Sequence, residues 1–148
     1  MNFISLRIIT ADIMPLVRFY EQITGLSVTQ YTDDFAELQT PLATLAIGST
    51  RILQLFGGDN IARASSNQSV ILEFRVDDVD REYQKLADIL GDRLVQKPTT
   101  MPWGNRSLLF RDPDGNLVNF FTPVTPEALE RSGPCCIPFS RGQQWRLA

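Results

Sequence analysis

The sequence predicts an α+β domain built twice over on one plan, a strand, a helix and a group of short strands. Three observations carry that prediction. A strand-like segment running into an aspartate occurs twice, Ile4–Thr10 before Asp12 and Val70–Val76 before Asp78, an offset of 66 residues. Each aspartate opens an amphipathic helical stripe that a glycine stops thirteen residues on, Gly25 in one half and Gly91 in the other. Short alternating runs bounded by turn residues then follow both glycines.

In the first helix, Ile13, Leu16, Val17, Tyr20 and Ile23 recur at helical spacing. Asp12 is placed to cap its N-terminus, Pro15 is tolerated in the first turn, and Gly25 suits the left-handed position after the last turn. Val79, Tyr83, Leu86 and Leu90 form the second stripe between Asp78 and Gly91. The β-like runs are Ser27–Tyr31, Phe35–Gln39, Leu42–Ile47 and Arg51–Phe56 in the first half, and Arg93–Gln96, Arg106–Arg111 and Leu117–Thr122 in the second. Asp112-Pro113-Asp114-Gly115-Asn116 joins the last two, its Asp-Gly suited to a tight hairpin. A Gly-, Asn- and Ser-rich stretch at 58–69 reads as a linker between a first module at 1–57 and a second at 70–123. The tail at 124–148 opens on a helix-start signature, Thr125-Pro126-Glu127, and has no periodicity after Gly133.

A chain of 148 residues is the natural size for one domain with one core. No apolar run approaches the roughly 20 residues of a membrane span. No signal peptide is visible at Met1–Arg7, so the expectation is a cytoplasmic protein. A net charge of −3 without clustered Lys and Arg argues against nucleic acid as a partner. Cys135 and Cys136 are adjacent, their Cα atoms about 3.8 Å apart and too close for an ordinary disulfide, so they read as reduced thiols.

Asp12 with Phe19-Tyr20 and Gly25-Leu26, then Phe74–Val79, Trp103-Gly104-Asn105-Arg106 and Asp112–Asn116, follow one order. Over roughly residues 3 to 123 that order resembles the vicinal-oxygen-chelate superfamily, which holds glyoxalases, bleomycin-resistance proteins and extradiol dioxygenases. The resemblance implies two tandem βαβββ modules forming a cupped, barrel-like mixed sheet with the helices on the outside. It leaves open whether the cup forms within one chain or across a homodimer.

The resemblance also says where a metal would sit, in the first and last strands of each module. Counting seven residues back from Asp12 and Asp78 places two ligand positions at Ser5 and Ile71. The late positions fall on Gln54 and Asn119, amides where the metal-binding relatives carry a glutamate. Hard and borderline cations need imidazole, thiolate or carboxylate donors, and the chain contains no histidine, so neither a metal nor a cofactor is expected.

Strand alternation puts Phe3, Ser5, Arg7 and Ile9 on the face with the first ligand position, and Ile71, Glu73 and Arg75 on the face with the second. A largely apolar cup with a few polar groups is the usual recipe for a small-molecule site. The candidate ligand-binding residues are therefore Ser5, Arg7, Gln54, Glu73, Arg75 and Asn119, with Phe121 beside them. Trp103 is added as a stacking ring and Arg106 as an anion-orienting group.

The function expected is metal-independent binding of a small molecule by a homodimer, sequestering a drug or metabolite. The alternative is a glyoxalase-like lyase, isomerase or dioxygenase-related enzyme. In it Glu73 is the candidate catalytic base, and Arg7 or Arg75 stabilises a developing oxyanion.

Overall fold

The computed structural model describes residues 1–58 and 60–133, so Asp59 and the stretch 134–148, including Cys135 and Cys136, lie outside the described residues. The first module runs β1 (Ser5–Thr10), α1 (Ile13–Thr24), β2 (Val28–Thr32), β3 (Phe35–Gln39) and β4 (Thr44–Ser49). The second repeats that order as β5 (Ile71–Arg75), α2 (Val79–Leu90), β6 (Leu94–Thr100), β7 (Asn105–Arg111) and β8 (Leu117–Pro123), and α3 (Pro126–Ser132) follows. Each module folds into its own four-stranded mixed sheet, ordered β1-β4-β3-β2 and β5-β8-β7-β6. The sheets are cupped but not closed into a barrel, and each carries its helix on the outside of the cup.

The caps form as their residue types require. The Asp12 carboxylate accepts from the Met14 amide at 3.0 Å, and Gly25 takes φ 68° while its N–H donates to Glu21 O. Asp78 accepts from the Arg81 amide at 3.1 Å. No helix among the described residues is long and apolar enough to cross a membrane.

One expected strand is absent. Thr50–Leu55 forms a 3-10 helix instead, with only Leu53 buried. Two contacts coil the chain there. The Ser49 hydroxyl accepts from the Arg51 amide at 3.1 Å, and Asp34, held by the Ser49 hydroxyl at 2.6 Å, accepts from Arg51 Nε at 2.6 Å. These hydrogen bonds hold the Asp34 carboxyl below its usual range. The first module therefore ends its sheet at β4.

The helix-bearing faces of the two sheets share one core. Leu38, Ile47, Leu108, Phe110 and Val118 are fully buried in it together with Leu16 and Tyr20 of α1. Its centre is a closed circuit of rings that crosses the module boundary. Phe19 meets Tyr20 at 5.6 Å, Tyr20 meets Phe74 at 6.2 Å, Phe74 meets Phe120 at 5.6 Å, Phe120 meets Phe110 at 5.2 Å, and Phe110 returns to Phe19 at 6.2 Å. Each such pair contributes about 0.5–1.5 kcal/mol beyond the area it buries.

A buried hydrogen bond adds to this circuit, because Tyr20 Oη donates to Asp112 Oδ2 at 2.9 Å. Asp112 also accepts from Asn116 Nδ2 at 2.8 Å and from the amides of Asp114 and Asn116 at 3.0 and 2.9 Å. The β7–β8 turn is thus both a hairpin, with Gly115 at φ 84°, and the receptor for a helix in the other module.

Candidate functional site

Alternation gives the edge strands β1 and β5 a core side and an open side. In β1, Ile8 and Thr10 are buried while Ser5 and Arg7 are exposed; in β5, Leu72 is buried while Ile71 and Glu73 are exposed. Strand register extends these positions into rows. Arg7, Ala46, Glu37 and Thr29 lie side by side across the first sheet, and Glu73, Asn119, Leu109 and Gln96 lie in the equivalent row of the second. Arg7 and Glu73 are 66 residues apart, so the repeat places opposite charges at matching points.

On the first face, the Arg7 guanidinium carbon lies 5.0 Å from the centroid of the Phe35 ring and 5.4 Å from that of Phe56. Its stem crosses β4 above Gly48, where an added Cβ would lie 3.6 Å from Arg7 Cδ and collide with Ile52. Further along the face, Glu37 accepts from Tyr31 Oη and Gln39 Nε2, both at 3.3 Å.

On the second face, Asn119 Nδ2 donates to Glu73 Oε1 at 2.9 Å. Asn119 is only 7% exposed, and its Oδ1 has no protein partner. Phe121 stands beside Arg75 in the next row.

Four expected site residues therefore cluster on open faces as the alternation implied: Arg7 on one, and Glu73, Asn119 and Phe121 on the other. Ser5 shares the first face as an exposed residue at the start of β1. Arg75 is engaged elsewhere, its Nη1 donating to the carbonyls of Ser132 and Gly133 at 3.0 and 2.8 Å and tying the end of α3 to β5. Trp103 sits in the β6–β7 turn, 58% exposed, with its carbonyl accepting from Arg131.

Two placements differ from the sequence expectation. Arg106 pairs in register with Thr122, one residue out of phase with Ser107 and Phe121, so it lies on the helix side. There it grips Asp80 of α2 with two hydrogen bonds, Nε to Oδ2 at 2.6 Å and Nη2 to Oδ1 at 2.8 Å, which hold the Asp80 carboxyl below its usual range. Gln54 belongs to the 3-10 helix rather than to a strand. The true counterpart of Asn119 is Ala46, since Asn119 pairs with Glu73 and Ala46 with Arg7.

That correction bears on metal binding. The four positions that would hold a divalent ion are Ser5, Ala46, Ile71 and Asn119, which offer a hydroxyl, an amide and two hydrocarbon groups. They do not fit such an ion. Among the described residues no group of three or more His, Cys, Asp or Glu side chains is placed to hold one.

Phe35 and Glu37 were not anticipated at the site. Their signal was present in Phe35–Gln39, where Ala36 and Leu38 are buried and the alternate residues face outward. Two cavities lie against the connecting segment, one of about 320 Å³ that Arg7 of β1 and Leu72 of β5 help to line, and one of about 570 Å³ between Ile71, Arg111 and Leu117; neither is lined by Glu73, Asn119, Phe35 or Phe56.

The model of the Glyoxalase/Bleomycin resistance protein/Dioxygenase superfamily matches residues 2–120. A Bacillus subtilis protein, YraH, is 28% identical over 131 residues, covering 82% of this chain and 98% of its own. A glyoxalase/bleomycin resistance protein/dioxygenase from Nocardioides superimposes with a TM-score of 0.70 at 22% identity, covering 85% of each chain. A family enzyme from Burkholderia phytofirmans gives 0.73 at 19% identity, covering 84% of this chain and all of the other.

Proposed function

The chain belongs to the Glyoxalase/Bleomycin resistance protein/Dioxygenase superfamily, and from that premise we propose that it is a metal-independent small-molecule binding protein that sequesters its ligand as a homodimer. The observation that carries this reading is the pair of matching rows. Where metal-binding relatives place donors, this chain has Ser5, Ala46, Ile71 and Asn119, and the charged groups of the two rows are Arg7 and Glu37 on one face and Glu73 on the other.

A small-molecule site is concave and buries most of its ligand. Within one chain the two open faces belong to sheets that join on their opposite, helix-bearing sides, and neither is covered by the other. Phe56, Leu55, Leu42 and Ile71 stand exposed around them, at 60%, 84%, 89% and 49%. A second copy, setting its second-module face against the first-module face of its partner, closes the cup and covers this apolar rim.

An enzyme using Glu73 as base is the weaker reading, because Glu73 is exposed and one of its oxygens is already occupied by Asn119.

Two measurements test the proposal. Sedimentation velocity at micromolar protein is expected to show a dimer, and a monomer throughout would overturn the closed cup. Elemental analysis after incubation with Ni, Zn, Fe and Mn salts and desalting is expected to find no stoichiometric metal. One retained ion per chain would contradict the metal-independent reading and direct attention to glyoxalase and dioxygenase assays.

A further inference from the structure

We infer that the cup recognises an anion, a carboxylate or similarly planar oxyanion carried on an aromatic or apolar body, and that Arg7 is its receptor. The inference rests on the cup reading above and names the class of ligand the cup takes.

Three observations lead to it. First, Arg7 is held but not neutralised. The Phe35 and Phe56 rings fix its guanidinium through cation–π contact, at 5.0 and 5.4 Å, and such contact leaves the in-plane N–H edges available. Second, Arg7 differs from the other arginines carried on strands. Arg75 donates to Ser132 O and Gly133 O, Arg106 to Asp80, and Arg111 to Gly115 O at 2.7 Å, whereas Arg7 donates to no acceptor among the described residues. Third, the carboxylate in its own row is turned elsewhere. Glu37 is two strands away, roughly 10 Å by strand spacing, and is occupied by Tyr31 and Gln39.

A guanidinium fixed in place has already lost much of the freedom that ligand binding would otherwise remove. Its fork geometry matches the two oxygens of a carboxylate, and the flanking phenyl rings offer an apolar surface to whatever bears that group. The exposed Phe56 ring and the Leu55 side chain beside it in sequence extend that surface outward.

The test compares naphthalene-2-carboxylate with its uncharged analogue naphthalene-2-methanol, titrated calorimetrically into the full chain at low salt. The carboxylate is expected to bind at least about 10-fold more tightly, the ratio a charge-assisted hydrogen bond supplies. Arg7→Gln should remove that advantage, bringing the carboxylate and the alcohol to similar affinities. Arg7→Lys, which keeps the charge and loses the fork, should retain only part of it. Circular dichroism of each variant checks the fold.

Equal affinity for the two probes, or an advantage that survives in Arg7→Gln, would overturn the inference and leave the cup reading standing. Binding of neither probe would overturn both.

Discussion

Asp112→Ala is expected to lower the unfolding free energy by about 3–5 kcal/mol, the range for breaking a buried polar network. The substitution strips an acceptor from the buried Tyr20 hydroxyl, from the Asn116 side chain and from two turn amides at once. Tyr20→Phe removes one of these bonds and should cost only about 1 kcal/mol. Urea denaturation of both variants checks the ordering, and equal effects would mean that the turn does not depend on Asp112.

The same residue sets a pH dependence. Burial raises the Asp112 carboxyl above its ordinary value of 3.8, against hydrogen bonds from Asn116 and Tyr20 that lower it. The folded chain therefore holds the Asp112 proton more tightly than the unfolded chain does. Its contribution to stability is full below pH 3.8 and is lost as pH rises through the raised folded value. Asp112→Asn, which does not titrate, should lack this component of the slope when unfolding is followed upward from pH 3.8.

Gly104→Ala carries the second large effect, about 2–4 kcal/mol, from two sources. Gly104 has φ 89°, which an L side chain rarely adopts, and an added Cβ would collide with Thr125 Oγ1 and lie 3.1 Å from Ala128 Cβ. Thr125 caps α3 by accepting from the Ala128 amide at 3.3 Å, so the collision also disturbs that cap. Gly58→Ala separates the two sources. Gly58 has φ 101° and open space around it, so its substitution should cost only the backbone strain, about 1–2 kcal/mol. Equal losses at both positions would show that the packing of α3 on Gly104 contributes nothing.

Features set by neighbouring residues were legible in the sequence. The two helices, their aspartate caps and their terminal glycines involve partners within a few positions, which is why the offset of 66 identified both modules. The open faces followed from alternation in β1 and β5. What escaped was set by distant partners. Arg51–Phe56 reads as a strand by composition, and its coiling depends on Asp34, 17 residues earlier. Gln54, the expected late ligand position, coils with that segment, and the register that identifies Ala46 in its stead exists only once β1 and β4 pair. Tyr20 and Asp112 each had a sufficient local explanation, a helix stripe and a turn, and nothing local joins residues 92 positions apart. The face of Arg106 is fixed only when β7 pairs with β8, where Arg106 falls opposite Thr122 on the helix side while Ser107 and Leu109 fall opposite Phe121 and Asn119.

The parallel pairing of β1 with β4, and of β5 with β8, has a consequence for how quickly the chain reaches its native state. The β2–β3–β4 and β6–β7–β8 meanders join strands adjacent in sequence and close short loops. Ser5 must find Thr44, and Ile71 must find Leu117, only after the whole module between them has been made. Loop closure of that span is entropically dearer and kinetically slower than hairpin formation. The meanders are therefore expected to form first, with β1 and β5, the strands that carry Arg7 and Glu73, docking last.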